Sequence, residues 1–155
     1  MKLLSTTIEE GSRMPGAQSY AGGNLSPALL WRDAPAGTKS FAVTCFDPDA
    51  PTGSGWWHWC VLDIPRSVSS LPEGVSPESL SELGAVMLRN DYGEAAFGGA
   101  APPAGDGMHR YVFTVWALPE EKLGLAADAN CPTAGFMLNA KAIGKAKLTA
   151  TYVVE

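Results

Sequence analysis

At 155 residues the chain is long enough to bury a core without disulfide or metal staples, and its size predicts one domain over residues 1–155. A formal charge of −5, with no cluster of lysine and arginine, excludes a nucleic-acid partner held through its phosphate backbone. Glycine and proline are abundant but lie between apolar runs, which predicts short strands joined by many turns and not a disordered polypeptide.

The first segment, MKLLSTTIEEG, has too short an apolar run for a secretion signal, and no later stretch approaches a membrane span. A cytoplasmic protein without membrane insertion is the expectation. LLSTTI, residues 3–8, predicts a first strand, followed by turn-rich sequence. ALLW, bracketed by Pro27 and Pro35, reads as a short surface ribbon leading inward. SFAVTCF, residues 40–46, is apolar at nearly every position, the pattern of a strand covered on both faces, and it delivers Asp47 to the end of a sheet. Because Asp47 precedes Pro48 its backbone is extended, and Asp49 is placed to accept a hydrogen bond from an amide just downstream. Pro51, Gly53 and Gly55 turn the chain, and WWHWCVLDI resumes as a strand with His58 near its start.

Further on, Ser76 caps and Pro77 opens a short helix that Gly84 closes. AVMLRN reads as a strand. The glycine-, alanine- and proline-rich run from Asn90 to His109 is longer than most loops in a compact domain, and such loops tend to carry function. In HRYVFTVWAL a period of two puts His109, Tyr111, Phe113 and Val115 on one face and Arg110 on the other. PEEKLGL predicts a one- or two-turn helix ended by Gly124. CPTAGFMLNAKAIGKAKL has helical spacing at Phe136, Ala140 and Ile143 with lysines late in the run. KLTATYVVE predicts a last strand alternating at Leu148, Ala150, Tyr152 and Val154. Cys45, Cys60 and Cys131 lack metal-type spacing, Cys45 and Cys60 read as buried, inert thiols within strands, and no cofactor is expected. The elements sum to a mainly β fold, two antiparallel sheets packed as a sandwich with a few short peripheral helices.

Both histidines of the chain fall in proline- and glycine-stiffened segments, residues 45–62 and 97–111, which suggests one composite pocket. A carboxylate fixes one nitrogen of an imidazole and leaves the other for a ligand. Asp47 is therefore expected to orient a histidine, with His58, His109 and the amides around Gly98, Gly99, Gly105 and Gly107 facing a small anion. Asp49 and Arg110 are expected to pair structurally beneath the loops. Two other chemistries fit the residue types. A hydrolase could take acid and base from Asp, His and Tyr, although neither loop presents serine or cysteine in a nucleophile setting. A metal site of two histidines and a carboxylate is the other, without the close spacing of dedicated metal sites.

DPDAP at 47–51, GWWHW at 55–59 and APPAGDGMHRY at 101–111 together resemble the phosphatidylethanolamine-binding protein family in its short bacterial, Raf kinase inhibitor-like branch. NLSPALLW, NDYG and YVFTVWAL extend the resemblance over nearly the whole chain. It implies two antiparallel sheets with peripheral helices and a small anion pocket, whose residues fall on Asp47, Trp56, His58, Pro102, Pro103, His109 and Tyr111. It implies phosphate, acetate or a phosphorylated head group as ligand, a kinase or peptidase as partner, and binding in place of catalysis. A homodimer is expected, with some of the five tryptophans at its interface. The chain departs from the bacterial pattern at Ala100 and Ala101, reading GGAAPP where relatives commonly read GGPCPP.

Overall fold

A computed structural model describes residues 1–155. Eight strands form two antiparallel sheets. The smaller has three strands in the order β1 (Lys2–Leu4), β2 (Leu29–Arg32), β5 (Ser70–Leu71). The larger has five in the order β6 (Val86–Met87), β4 (Trp56–Pro65), β3 (Ser40–Asp47), β7 (His109–Leu118), β8 (Gly144–Tyr152). Two short helices, α1 (Pro77–Glu82) and α2 (Cys131–Lys141), complete the mainly β architecture, along with a single 3-10 turn at Gly16–Gln18.

The central strands are apolar at nearly every position because both of their faces are covered. Phe41, Val43 and Cys45 of β3 join Trp59, Val61, Phe113 and Val115 in a core closed on the far side by Leu3, Leu29, Trp31 and Leu71 of the small sheet. The opposite face of the same strands, with Ala42, Cys60, Leu62 and Trp116, is covered by Leu123 and by Cys131, Ala134 and Leu138 of α2. Each fully buried leucine or phenylalanine in these layers contributes roughly 2 kcal/mol.

Two irregularities interrupt the pairing of β3 with β4. The register shifts between Phe41 and Val43, and again between Cys45 and Phe46. At the second shift Cys45 faces Trp59 and Phe46 faces Trp57, so His58 is the extra residue of a β-bulge. At the first, Asp63 adopts a left-handed conformation with φ 59° and its carboxylate accepts the Leu123 amide at 2.7 Å.

Several local expectations need correction. The first strand stops at Leu4, because the Ser5 hydroxyl accepts the amides of Thr7 and Ile8 and turns the chain. The ribbon β2 is not superficial, since Leu29 and Trp31 point into the core. Only Val86 and Met87 of AVMLRN pair as strand. PEEKLGL forms no helix: the Leu123 amide, which a helix would bond locally, goes to Asp63 instead. The 131–148 run divides into α2, ending at Lys141, and β8, beginning at Gly144. The face of α2 is also reversed. Phe136 is 77% exposed, and Cys131, Ala134, Gly135 and Leu138 are buried. Small residues win because Gly135 lies against the Trp57 indole, where a Cβ would come within 2.9 Å. The last strand ends at Tyr152, short of Val154.

The caps of α1 behave as the sequence predicts. The Ser76 hydroxyl accepts the Ser79 amide at 3.1 Å and Gly84 follows α1 with φ 89°. Asn130 caps α2 through the Thr133 amide at 2.8 Å. The three cysteines are free and buried. Trp31, Trp59 and Trp116 are core, Trp57 packs on Phe46 and α2, and Trp56 lines a cavity.

Candidate functional site

The C-terminal end of β3, the start of β4 and the start of β7 meet at one rim of the large sheet, and a cavity of about 270 Å³ opens there. It brings together all seven residues of the expected pocket: Asp47, Trp56, His58, Pro102, Pro103, His109 and Tyr111. Ala50, Pro51, Thr52, Tyr92 and Ala101 complete its wall.

Asp47 is the pivot. It ends β3 opposite Trp56, and Pro48 holds it extended. One carboxylate oxygen accepts the Asp49 amide at 2.7 Å, and the other meets His109 Nδ1 at 2.8 Å. The Asx turn thus belongs to Asp47, where Asp49 had been expected to make it. Asp49 is held instead by the Arg110 amide and guanidinium, each contact at 2.9 Å. That guanidinium, hydrogen-bonded to the carboxylate, lowers the Asp49 pKa to about 2. The pair is not beneath the loops, because Arg110 is more than half exposed.

His109 is 2% exposed and has no free nitrogen, since Asp106 Oδ2 lies 2.6 Å from Nε2. Burial disfavours the charged ring, but the hydrogen bonds it makes to Asp106 and Asp47 outweigh this and raise the pKa. With a carboxylate at each nitrogen, the site favours the imidazolium, whose two N–H groups can donate to both. Asp106 was not singled out from sequence. Its place three residues before His109, between Gly105 and Gly107, both with positive φ, was the signal available.

His58 is placed oppositely. The bulge turns it off the α2 side and toward Tyr111, whose ring centroid is 5.1 Å away. Its Nδ1 contacts the Gly98 carbonyl oxygen at 2.7 Å. A carbonyl only accepts, so Nδ1 carries the hydrogen, and Nε2 has no protein partner. The residue is 3% exposed, and burial lowers its pKa. Burial thus favours the neutral ring, with Nε2 as an acceptor, where a second donor had been expected.

Three of the four glycine amides are also committed elsewhere. Gly98 N donates to the His58 carbonyl at 2.9 Å, Gly99 N to Asn24 Oδ1 at 2.7 Å, and Gly105 N to the Val154 carbonyl at 3.0 Å. Gly98 and Gly99 are required for close packing: a Cβ would lie 2.4 Å from the Tyr92 ring or 2.3 Å from the Gln18 carbonyl. Ala100 donates its amide to that carbonyl at 3.1 Å, a bond a proline could not make. The departure from the bacterial pattern thus ties this loop to residues 16–24.

Two donors are left over. Trp56 Nε1 and the Tyr111 hydroxyl are buried, line the cavity and have no hydrogen-bond partner. Burial pushes the Tyr111 phenol well up, so it stays a neutral donor. Tyr92, which sequence reasoning did not select for the pocket, packs its ring edge-on to Trp56 and His58, stacks on Tyr20 and donates to the Gly99 carbonyl at 2.9 Å. No three His, Cys, Asp or Glu side chains come together as a metal-binding group.

The family model for phosphatidylethanolamine-binding protein matches residues 4–153. The chain is 45% identical to the Escherichia coli K12 protein YbcL over 99% of this chain and 88% of that one. It is 42% identical to YbhB of the same organism, over 98% and 99%. The crystal structure of YbcL, described as a member of the mammalian family, superposes with a TM-score of 0.94 over 99% of this chain and 98% of that one. A Chlamydia trachomatis homologue, 29% identical, superposes at 0.85 over 99% and 97%. On this sequence and fold similarity the chain belongs to the phosphatidylethanolamine-binding protein family.

Proposed function

We propose that this protein binds a small oxyanion, phosphate or a phosphorylated head group, in the cavity between Asp47, Trp56, His58, the Pro102–Pro103 loop, His109 and Tyr111, and that occupancy regulates a partner such as a kinase or peptidase. The observation that carries this reading is the pair of buried donors, Trp56 Nε1 and Tyr111 Oη, left unpartnered in one cavity. An unsatisfied buried donor costs about 1–3 kcal/mol, so a guest that offers oxygen acceptors gains that much at each. The His109 imidazolium adds positive charge at the same wall, although its N–H groups are held by Asp47 and Asp106.

Calorimetric titration with inorganic phosphate tests it. Saturable binding to the wild type, weakened about tenfold or more by Trp56→Phe or Tyr111→Phe, is the expected result. Absence of binding at millimolar phosphate contradicts the reading. A hydrolase gains no support: the one hydroxyl of the turn facing the cavity, Thr52, donates to the Gly55 carbonyl at 2.6 Å. A cytoplasmic location and a homodimer are part of the proposal, tested by fractionation and by sedimentation. A Mycobacterium tuberculosis relative, 32% identical over 98% of this chain, carries a lipoprotein name.

A further inference from the structure

Two of the three thiols meet. Cys60 on β4 and Cys131, the first residue of α2, share the apolar layer between that helix and the large sheet. Backbone pairing brings them there: the Leu88 amide donates to the Cys60 carbonyl at 3.0 Å, and the Cys131 thiol donates to the carbonyl of Arg89, the next residue, at 3.2 Å. The Cys60 thiol then lies within hydrogen-bonding reach of Cys131 Sγ. Their access differs. Cys60 is wholly buried, whereas Cys131, itself 2% exposed, forms part of the wall of a cavity of about 330 Å³ with Arg89, Asn90, Asp91 and Asn130. That cavity shares no residue with the anion site. Acidity differs in the same sense. The hydrogen bond from Cys60 lowers the Cys131 pKa, against burial and the Asp91 charge, and the same bond together with burial raises that of Cys60. Cys45 is not part of this pair, and burial pushes its thiol well up.

We propose that Cys131 and Cys60 form a hydroperoxide-reactive pair, in which Cys131 meets the oxidant in this second cavity and Cys60 resolves the product as a disulfide joining α2 to β4. The Cys131 thiolate attacks one peroxide oxygen, the O–O bond breaks, and the departing hydroxide or alkoxide takes up a proton from water. Sulfur is oxidised to a sulfenic acid, and the peroxide is reduced to water or an alcohol. Cys60 then gives its proton to the sulfenic oxygen and attacks Cys131 Sγ. The S–S bond forms, the S–O bond breaks and water leaves. Thiol–disulfide exchange with a dithiol reductant restores both thiols. The proximity of the second thiol is what separates Cys131 from a solitary buried cysteine, because a sulfenic acid beside a thiol condenses before a further peroxide reaches it.

Hydrogen peroxide applied to the folded, reduced wild type tests this, with quenching, alkylation of the remaining thiols in denaturant and peptide mass mapping at successive times. The expected product is a single Cys60–Cys131 linked peptide that a dithiol reductant reverses, with Cys131 consumed about tenfold or more faster than Cys45. Cys60→Ala, checked for a wild-type circular dichroism spectrum, is expected to leave Cys131 as a sulfenic acid that dimedone traps. Cys131→Ala is expected to leave Cys60 as unreactive as Cys45. Cys131 and Cys45 lost at equal rates in the wild type overturn the proposal, and so does a Cys131 that oxidises without linking to Cys60. Both of these outcomes are read on the unmodified chain, so they stand whether or not either variant folds.

Discussion

The two histidines reach one cavity from strands on either side of β3, and their surroundings set them to opposite tasks. His109 on β7 is clamped between two carboxylates that favour its charged form, but it has no nitrogen to offer. His58 on β4 is bonded to a carbonyl, neutral and open at one nitrogen. Burial favours the neutral ring at both; it prevails at His58, while two hydrogen-bonded carboxylates overcome it at His109.

The comparison can be broken most forcefully at Asp47. Asp47→Ala strips the buried His109 of its inner partner and removes the turn that carries Asp49, so denaturant unfolding should show a loss of about 3 kcal/mol. The His58 bond to Gly98 should survive, visible as an unchanged His58 imidazole spectrum. Gly98→Ala attacks the other half. Its Cβ would collide with Tyr92 and shift the carbonyl that fixes the His58 tautomer, at a cost of about 2 kcal/mol by the same measurement.

A gentler probe is pH. The charged form of His109 is favoured by the fold, so its contribution is complete below the ordinary imidazole pKa of about 6.5 and disappears as pH rises through the raised folded value. His58 works the other way: the unfolded chain binds its proton more readily, so stability falls as pH drops through about 6.5. Asp47 and Asp106 contact His109, and Asp49 lies near enough to interact with it. Asp106→Asn should move the alkaline loss to lower pH and leave the acid limb unchanged, as measured by thermal midpoint against pH. The smallest effect belongs to Arg110→Ala, at a largely exposed pair. It should barely alter the unfolding midpoint, yet a carbon-detected titration should show the Asp49 pKa rising from about 2 toward the usual carboxylate range.

Much of the scaffold was legible because it is written in local pattern. SFAVTCF reads as a doubly covered strand, and Ser76-Pro77 and Gly84 mark a helix. The seven pocket residues were legible too, through the order of three motifs resembling one family. The misreadings share a different cause, in that each depends on what a distant segment brings. Phe136 looked like the buried face of α2 until Gly135 was seen against Trp57. The amides of Gly98 and Gly99 looked free until the carbonyl of His58 and the side chain of Asn24 took them. The state of His58 depends on a one-residue bulge in β4, and that of His109 on a carboxylate returned by a glycine-flanked turn. No residue type or spacing records the bulge, and only the place of Asp106 between Gly105 and Gly107, three residues before His109, hints at the second.

The division between the imidazoles is most directly tested by a long-range proton–nitrogen NMR spectrum of the unliganded wild type near neutral pH. The predicted spectrum has His109 protonated at both nitrogens and His58 protonated at Nδ1 alone. A His58 that carries its proton on Nε2, or a His109 that is neutral, would contradict the account.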